Sequence, residues 1–404
     1  MGLLLLLGAL SLLAELDDTL GPALDHPAIH YDRGPFQDPI AVLNRKLEQG
    51  QAQLQFETPS GYLRSVLHAL NVPVESQIAV FSKTSLQAPL IEPRNPRTIF
   101  FNDSVVVAWM KGGFLEAAAH DPQQGVQFYT LEQRSTARPR FQKGGDCLRC
   151  HVGDATLGVA GMVVRSTFTA SDGSPMLVYG GSLVDHRTPI ESRWGGWFVT
   201  GAPATVRHLG NAAIGSQGDP KAMDPLQARI DTSAYLSPYS DAAALLVFDH
   251  QMHMVNLITR IGWDARAAVW ETRPDVDKLL AGAAREVVDY MLFVDEAPLP
   301  GKLTGANGFA AAFAARGPKD SKGRSLRDLD LQHRLLRYPC SYLIYSDAFD
   351  ALPAGAKSAI YRRLWQVLSG ADKDQKYARL SAADRRAVME ILRDTKKGLP
   401  EYFR

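Results

Sequence analysis

The chain has 404 residues, 46% apolar and 22% charged, the composition of a globular protein with room for one large core or two medium ones. Lys and Arg total 44 against 43 Asp and Glu, a net charge of +1. That balance lacks the basic excess that nucleic-acid and acidic-membrane binders carry, so no nucleic-acid partner is expected.

The N-terminus reads MGLLLLLGALSLLA and then meets Glu15, Asp17 and Asp18. The run is shorter than the roughly 20 residues a bilayer-crossing helix needs and has the length of a signal-peptide hydrophobic region. No Lys or Arg precedes it, and no clean A-x-A site follows. Residues 1–20 are therefore expected to be a signal peptide or an N-terminal membrane anchor, with a buried N-terminal helix as the alternative. Residues 21–39, rich in Pro, Asp, His and Gly, show no period and are expected to form a linker.

Helices are expected over residues 40–55, where Val42, Leu43, Leu47 and Leu54 recur, and over 61–71, with Leu63, Val66, Leu67 and Leu70 on one stripe. Short runs rich in β-branched and aromatic residues follow at 77–81, 97–101, 105–110, 114–119 and 126–131, broken by turn formers such as Asn102-Asp103 and Gly112-Gly113. They predict a mainly antiparallel region, with a helical turn as the alternative at 113–119. Further strands are expected within 158–168, 176–182 and 196–199. From about Asp241 the pattern turns helical, over 242–260 and on through Trp270, then over 276–284, 285–293, 358–368 and 381–396. The last of these opens on Ser381 and Asp384, a capping-box spacing. The fold class is thus α+β, with a β-rich region over 40–240 and a helical region over 241–404 packed on it.

The chain has three cysteines, an odd number that argues against a disulfide framework. Two of them lie in Cys147-Leu148-Arg149-Cys150-His151, the C-x-x-C-H spacing of c-type haem attachment. Two thiols at this spacing reach the two vinyl groups on adjacent edges of one porphyrin and form thioethers. The histidine after the second thiol then lies under the iron. A zinc site would need a second ligand pair, and Cys340 stands alone. A thioredoxin-like dithiol would want a βαβ setting, whereas the flanking chain reads as antiparallel and Gly-rich. The expectation is one covalent haem c on Cys147 and Cys150, with His151 as proximal ligand. Thioether attachment takes place outside the bacterial cytoplasm, which agrees with a periplasmic or otherwise exported location.

The opposite face of the iron takes Met or His in electron carriers and stays open in catalysts. Met162, Met176 and His208 are available, but the densest cluster is His250, Met252, His253 and Met254 on one expected helix. His250 and Met254, four apart, share a face, which makes His250 the first choice as distal ligand and Met254 the second. The pair His250 and His253 could instead hold a non-haem metal, and the methionines could be core fillers. Arg165, Arg187 or Arg193 could pair a propionate, and Trp194 and Trp197 could wall the haem; the blander reading makes the tryptophans core and the arginines structural. His186 and His208 read as structural, and Cys340, in an apolar context, as a buried free thiol.

The chain also resembles a family of bacterial proteins described as cytochrome c domain-containing, over most of its length from about Asp38 to Phe403. The stretches that carry the likeness are NPRTIFFND, CLRCH, DHRTPIESRWGGWFVTG, HQMHMVNLITR and LSAADRRAVMEILRDTKKGLP. The resemblance implies haem binding and electron transfer, with no particular reaction. The terminal helix is similar in style to that of small class I cytochromes but lies more than two hundred residues after the motif. The haem is therefore expected within a larger α+β body. The leading expectation is exported electron transfer through one haem c to a redox partner protein or a small-molecule donor or acceptor, with peripheral or N-terminal membrane association an option. The alternatives are a haem-dependent oxidoreductase acting on peroxide or a small inorganic species at an open distal site, and a haem-based sensor, for which no output domain is visible.

Overall fold

The computed structural model describes residues 22–403 apart from 216–217, 225, 227–229 and 232. The expected signal peptide or anchor at 1–20 lies outside the described residues. Helix α1 (Pro39–Glu48) starts where Asp38 accepts hydrogen bonds from the amides of Ile40 and Ala41, with Pro39 at its first position. It stops well short of residue 55, because Gly50 takes a left-handed conformation (φ 68°) just past its end. Helix α2 is Leu63–Ala69.

Strands β1 (Ile78–Val80), β2 (Arg97–Phe101), β3 (Val105–Trp109), β4 (Leu115–Asp121), β5 (Gly125–Leu131) and β6 (Gln142–Lys143) form an antiparallel meander in which each pairs with the next. Residues 113–119 thus enter a strand rather than a helical turn. A second ladder pairs β7 (Arg165–Thr167) with β8 (Gly181–Leu183), and β9 (Trp197–Phe198) returns to close the large sheet against β1. The strand signal expected across 158–168 and 176–182 is confined to these short pieces, since Gly158 and Gly180 take positive φ values and break the run.

Both faces of the large sheet are covered, which is why its strands read as unbroken apolar runs. Ala79, Phe100, Val107, Trp109, Ala117 and Tyr129 pack towards Ile40 and Leu43 of α1 and Leu63 and Val66 of α2. Ile78, Ile99, Phe101, Val106, Val126 and Phe128 face the other way, into a core shared with helix α4. That core continues through the rest of the C-terminal half, so the β-rich and helical regions meet in one apolar interior. Before α4 comes the four-residue helix α3 (Leu148–His151). Helix α4 (Ala242–Trp270) is 29 residues long and capped by Asp241, which accepts from the amides of Ala243 and Ala244. Helices α5 (Val276–Met291), α6 (Phe309–Ala315), α7 (Asp347–Asp350), α8 (Ala354–Leu368) and α9 (Ala382–Thr395) complete the layer. The capping box at Ser381 and Asp384 forms as expected, each side chain bonding the other residue's amide.

The described part of the expected linker, residues 22–38, carries no helix or strand but is docked on the body. Ile29 and Tyr31 are buried with Val159, Ala160 and Trp263, and the Tyr31 hydroxyl donates to the Val126 carbonyl at 2.7 Å.

Candidate functional site

The C-x-x-C-H segment lies between two attachments to the outer edge of β5. The Gly144 amide donates to the Phe128 carbonyl (2.9 Å) ahead of it, and the Val126 amide donates to the Ala160 carbonyl (3.2 Å) behind it. Between them the chain makes a 3-10 turn over Gly145–Cys147 and runs directly into α3. Helical spacing puts Cys147 and Cys150, three apart, on one side of this turn. Both thiols are free; Cys147 is half-buried and Cys150 exposed. Burial, helped by the Glu116 carboxylate, pushes the Cys147 thiol up to about 11.

His151 is held at both ends by one residue. Its Nδ1 lies 2.9 Å from the Gly161 carbonyl, and its own carbonyl accepts from the Gly161 amide at 3.0 Å. A carbonyl oxygen can only accept, so Nδ1 carries the proton and Nε2 keeps a lone pair. Burial lowers the imidazole's proton affinity; Arg97 and Arg165 act the same way, while the Gly161 bond and Glu116 oppose them. The ring sits against Phe128 with centroids 4.7 Å apart.

Beside this group lies an ion pair on the sheet face. Glu116 of β4 pairs with Arg97 of β2 and also accepts from Ser85 Oγ (2.7 Å) and Gln87 Nε2 (3.1 Å). Burial alone would raise the Glu116 carboxyl, but Arg97 and the two neutral donors outweigh it and hold the group below its usual value. Arg165 is exposed and stands opposite Leu183 across the β7–β8 ladder, so both point from the same open face. The following stretch of exposed surface includes Leu177, Val178 and Tyr179.

Two free thiols and an imidazole bonded at Nδ1 alone are the donor set that haem c attachment asks for. Among the described residues no three His, Cys, Asp or Glu side chains converge, the arrangement a zinc tetrahedron would ask for. Haem c asks for the opposite arrangement, in which the thiols meet the porphyrin edge and only the imidazole meets the metal. The bond at Nδ1 leaves Nε2 for that role.

The other expected site residues fall elsewhere. His250 is fully buried on α4, with Nδ1 2.8 Å from His186 Nδ1 and Nε2 2.8 Å from Ser341 Oγ, stacked among His186, Tyr290 and Phe293. Burial pushes it down to about 3. Met254 is fully buried in the core that α4 shares with the sheet. His253 lies 3.4 Å from the Arg187 guanidinium and against the Tyr290 ring. Arg187 is paired with Asp185, and Arg193, fully buried, with Asp249. Trp194, Trp197 and Cys340 are core, and His208 meets Trp194 edge-on. Of the three arginines considered for a propionate, Arg165 is the one whose charge acts on His151.

Sequence reasoning did not identify Gly161, Arg97 or Glu116. Gly161 left one trace, a glycine ten residues after the histidine in a stretch that otherwise reads as a strand. Comparison of the chain with protein-family models, with curated proteins and with solved structures found no match.

Proposed function

We propose that the chain is an exported electron-transfer protein carrying one covalent haem c. The observation that carries the reading is the state of His151: its Nδ1 proton is committed to the Gly161 carbonyl, and its Nε2 is left with a free lone pair beside two unpaired thiols at haem-attachment spacing. Cys147 and Cys150 would bond the porphyrin edge, and His151 would ligate the iron. Phe128 would pack the imidazole, and Arg97 and Arg165 would supply positive charge for the propionates. A bound haem c supplies a ferric–ferrous couple that takes up or gives off one electron at a time. The chain's own part is to hold the imidazole in one tautomer, to shield one side of the site with the sheet, and to leave the Cys150 side open to a partner. His250 and Met254, both held in the core, are read as packing residues in this account.

Produced in a host with haem-attachment machinery, the protein should be coloured and keep its pigment in acidified organic solvent. A Cys147→Ala/Cys150→Ala double variant should release it. A colourless wild-type protein, or one that gives up its pigment, overturns the proposal.

A haem-dependent oxidoreductase is the second reading, favoured by the Arg97–Glu116 pair, a cation and a carboxylate beside the motif of the kind proton-coupled chemistry needs. Ready carbon monoxide binding by the reduced native protein would favour it over simple electron transfer.

A further inference from the structure

The segment returning from the motif to the sheet, residues 157–162, is held against α4 by three side chains. They are Asn256, Arg260 and Trp263, spaced i, i+4 and i+7 on one helix face. Arg260 Nη1 donates to the Leu157 carbonyl at 3.0 Å, and Trp263 packs with Val159 and Ala160. Asn256, 1% exposed, makes the closest grip. Its Oδ1 accepts from the Met162 amide at 2.8 Å and its Nδ2 donates to the Met162 carbonyl at 2.7 Å. One side-chain amide thus binds both polar groups of one residue, as a neighbouring strand would.

The residue just before Met162 is Gly161, whose amide and carbonyl face the other way, onto His151. A Cβ at Gly161 would lie 2.3 Å from Asn256 Oδ1, so only glycine lets the amide sit so close behind the carbonyl that holds the imidazole. We infer that Asn256 is a positioning residue for the His151 imidazole. By fixing the peptide at Met162 it fixes the Gly161 carbonyl, and through it the tautomer and direction of the His151 ring. The purpose of the arrangement rests on the haem reading, but its geometry does not. Helix α4 therefore reaches His151 through Asn256.

An imidazole that donates to a fixed carbonyl is more electron-rich and favours ferric over ferrous iron. Loosening the carbonyl should weaken that preference.

The test uses the full chain with Asn256→Leu, close in volume but without the amide. In ¹⁵N-histidine NMR of the haem-free protein, wild-type His151 should show a single Nδ1–H tautomer and the variant a mixture. In the haem-loaded protein, a fall of about 10-fold in the ferric preference appears as a rise of about 59 mV in midpoint potential for one electron. Gly161→Ala, which pushes on the amide from the other side, should move both readouts the same way and serves if Asn256→Leu does not fold. Leu246→Ala loosens the same helix ten residues before Asn256 and should move neither.

An unchanged tautomer in Asn256→Leu, or an equal shift in Leu246→Ala, overturns the inference. A wild-type protein that attaches no haem defeats the functional reading alone, because the haem-free spectrum still decides the role of Asn256.

Discussion

Replacing His250 by alanine separates two roles for the imidazole, and the structure sets the size of the effect. Removing the ring leaves His186 Nδ1 without its 2.8 Å partner in the interior, while His186 Nε2 already has none. A buried polar group orphaned in this way costs about 1–3 kcal/mol. The space left among His186, Tyr290 and Phe293 adds about 2–5 kcal/mol, the range for large-to-small changes in a packed core. Ser341 loses less, because its Oγ also meets the Leu343 amide. The expected loss is therefore about 3–8 kcal/mol, a large share of the roughly 5–15 kcal/mol that holds a domain folded. Urea unfolding followed by far-ultraviolet circular dichroism measures it, and His250→Gln, which keeps polar atoms in the site, should lose less. The visible spectrum of the haem-loaded variant should match wild type. A loss below about 1 kcal/mol together with a shifted spectrum would refute the reasoning, since the ring would then be spending its nitrogen on iron and not on His186 or Ser341.

Two further outcomes follow from buried charge. His120 lies between β4 and α4 with Nε2 3.0 Å from Thr259 Oγ1, and burial pushes it down from 6.5 to about 4. As pH falls the unfolded chain takes this proton first, so the stability His120 contributes is whole above about 6.5 and drains away towards pH 4, by about 3 kcal/mol. His120→Gln should flatten that part of the profile in denaturant titrations between pH 7 and 4.5; an identical slope would mean that the folded protein already holds the protonated ring. Arg193→Met should cost about 3–5 kcal/mol by stranding the buried Asp249 carboxylate, whose other oxygen already has no partner. Arg193→Met/Asp249→Leu should recover the share due to the stranded charge, though the Thr188 and His186 carbonyls and the Trp194 indole still lose their partners. A double variant as weak as the single one in a double-mutant cycle would show that these hydrogen bonds, not the charge, account for the loss.

The parts of the fold that depend on local chemistry were legible in the sequence. Runs such as Val105–Trp109 announce strands buried on both faces, and Ser381 with Asp384 marks a helix start three positions ahead of its partner. The C-x-x-C-H spacing of Cys147, Cys150 and His151 is local and stands in the sequence itself. What could not be read was anything settled by distant segments meeting. Ile29 and Tyr31 look like stray apolar residues in a Pro- and Gly-rich leader until Trp263, far along the chain, covers them. His250 looked like a free ligand on an amphipathic face, and only the approach of His186 and Ser341 shows where its nitrogens are spent. Asn256 was invisible for the same reason: an asparagine in an apolar helix says nothing about which loop it grips.

The attachments at Gly144 and Ala160 give the motif-bearing loop a second duty. Beyond its short pairing with β6, strand β5 would show a row of unsatisfied amides and carbonyls along the rim of the sheet, and this loop closes that rim. Whatever peels the loop away uncovers a template onto which another chain could add. Protection of the sheet rim is thereby tied to the same stretch of backbone that carries two of the cysteines.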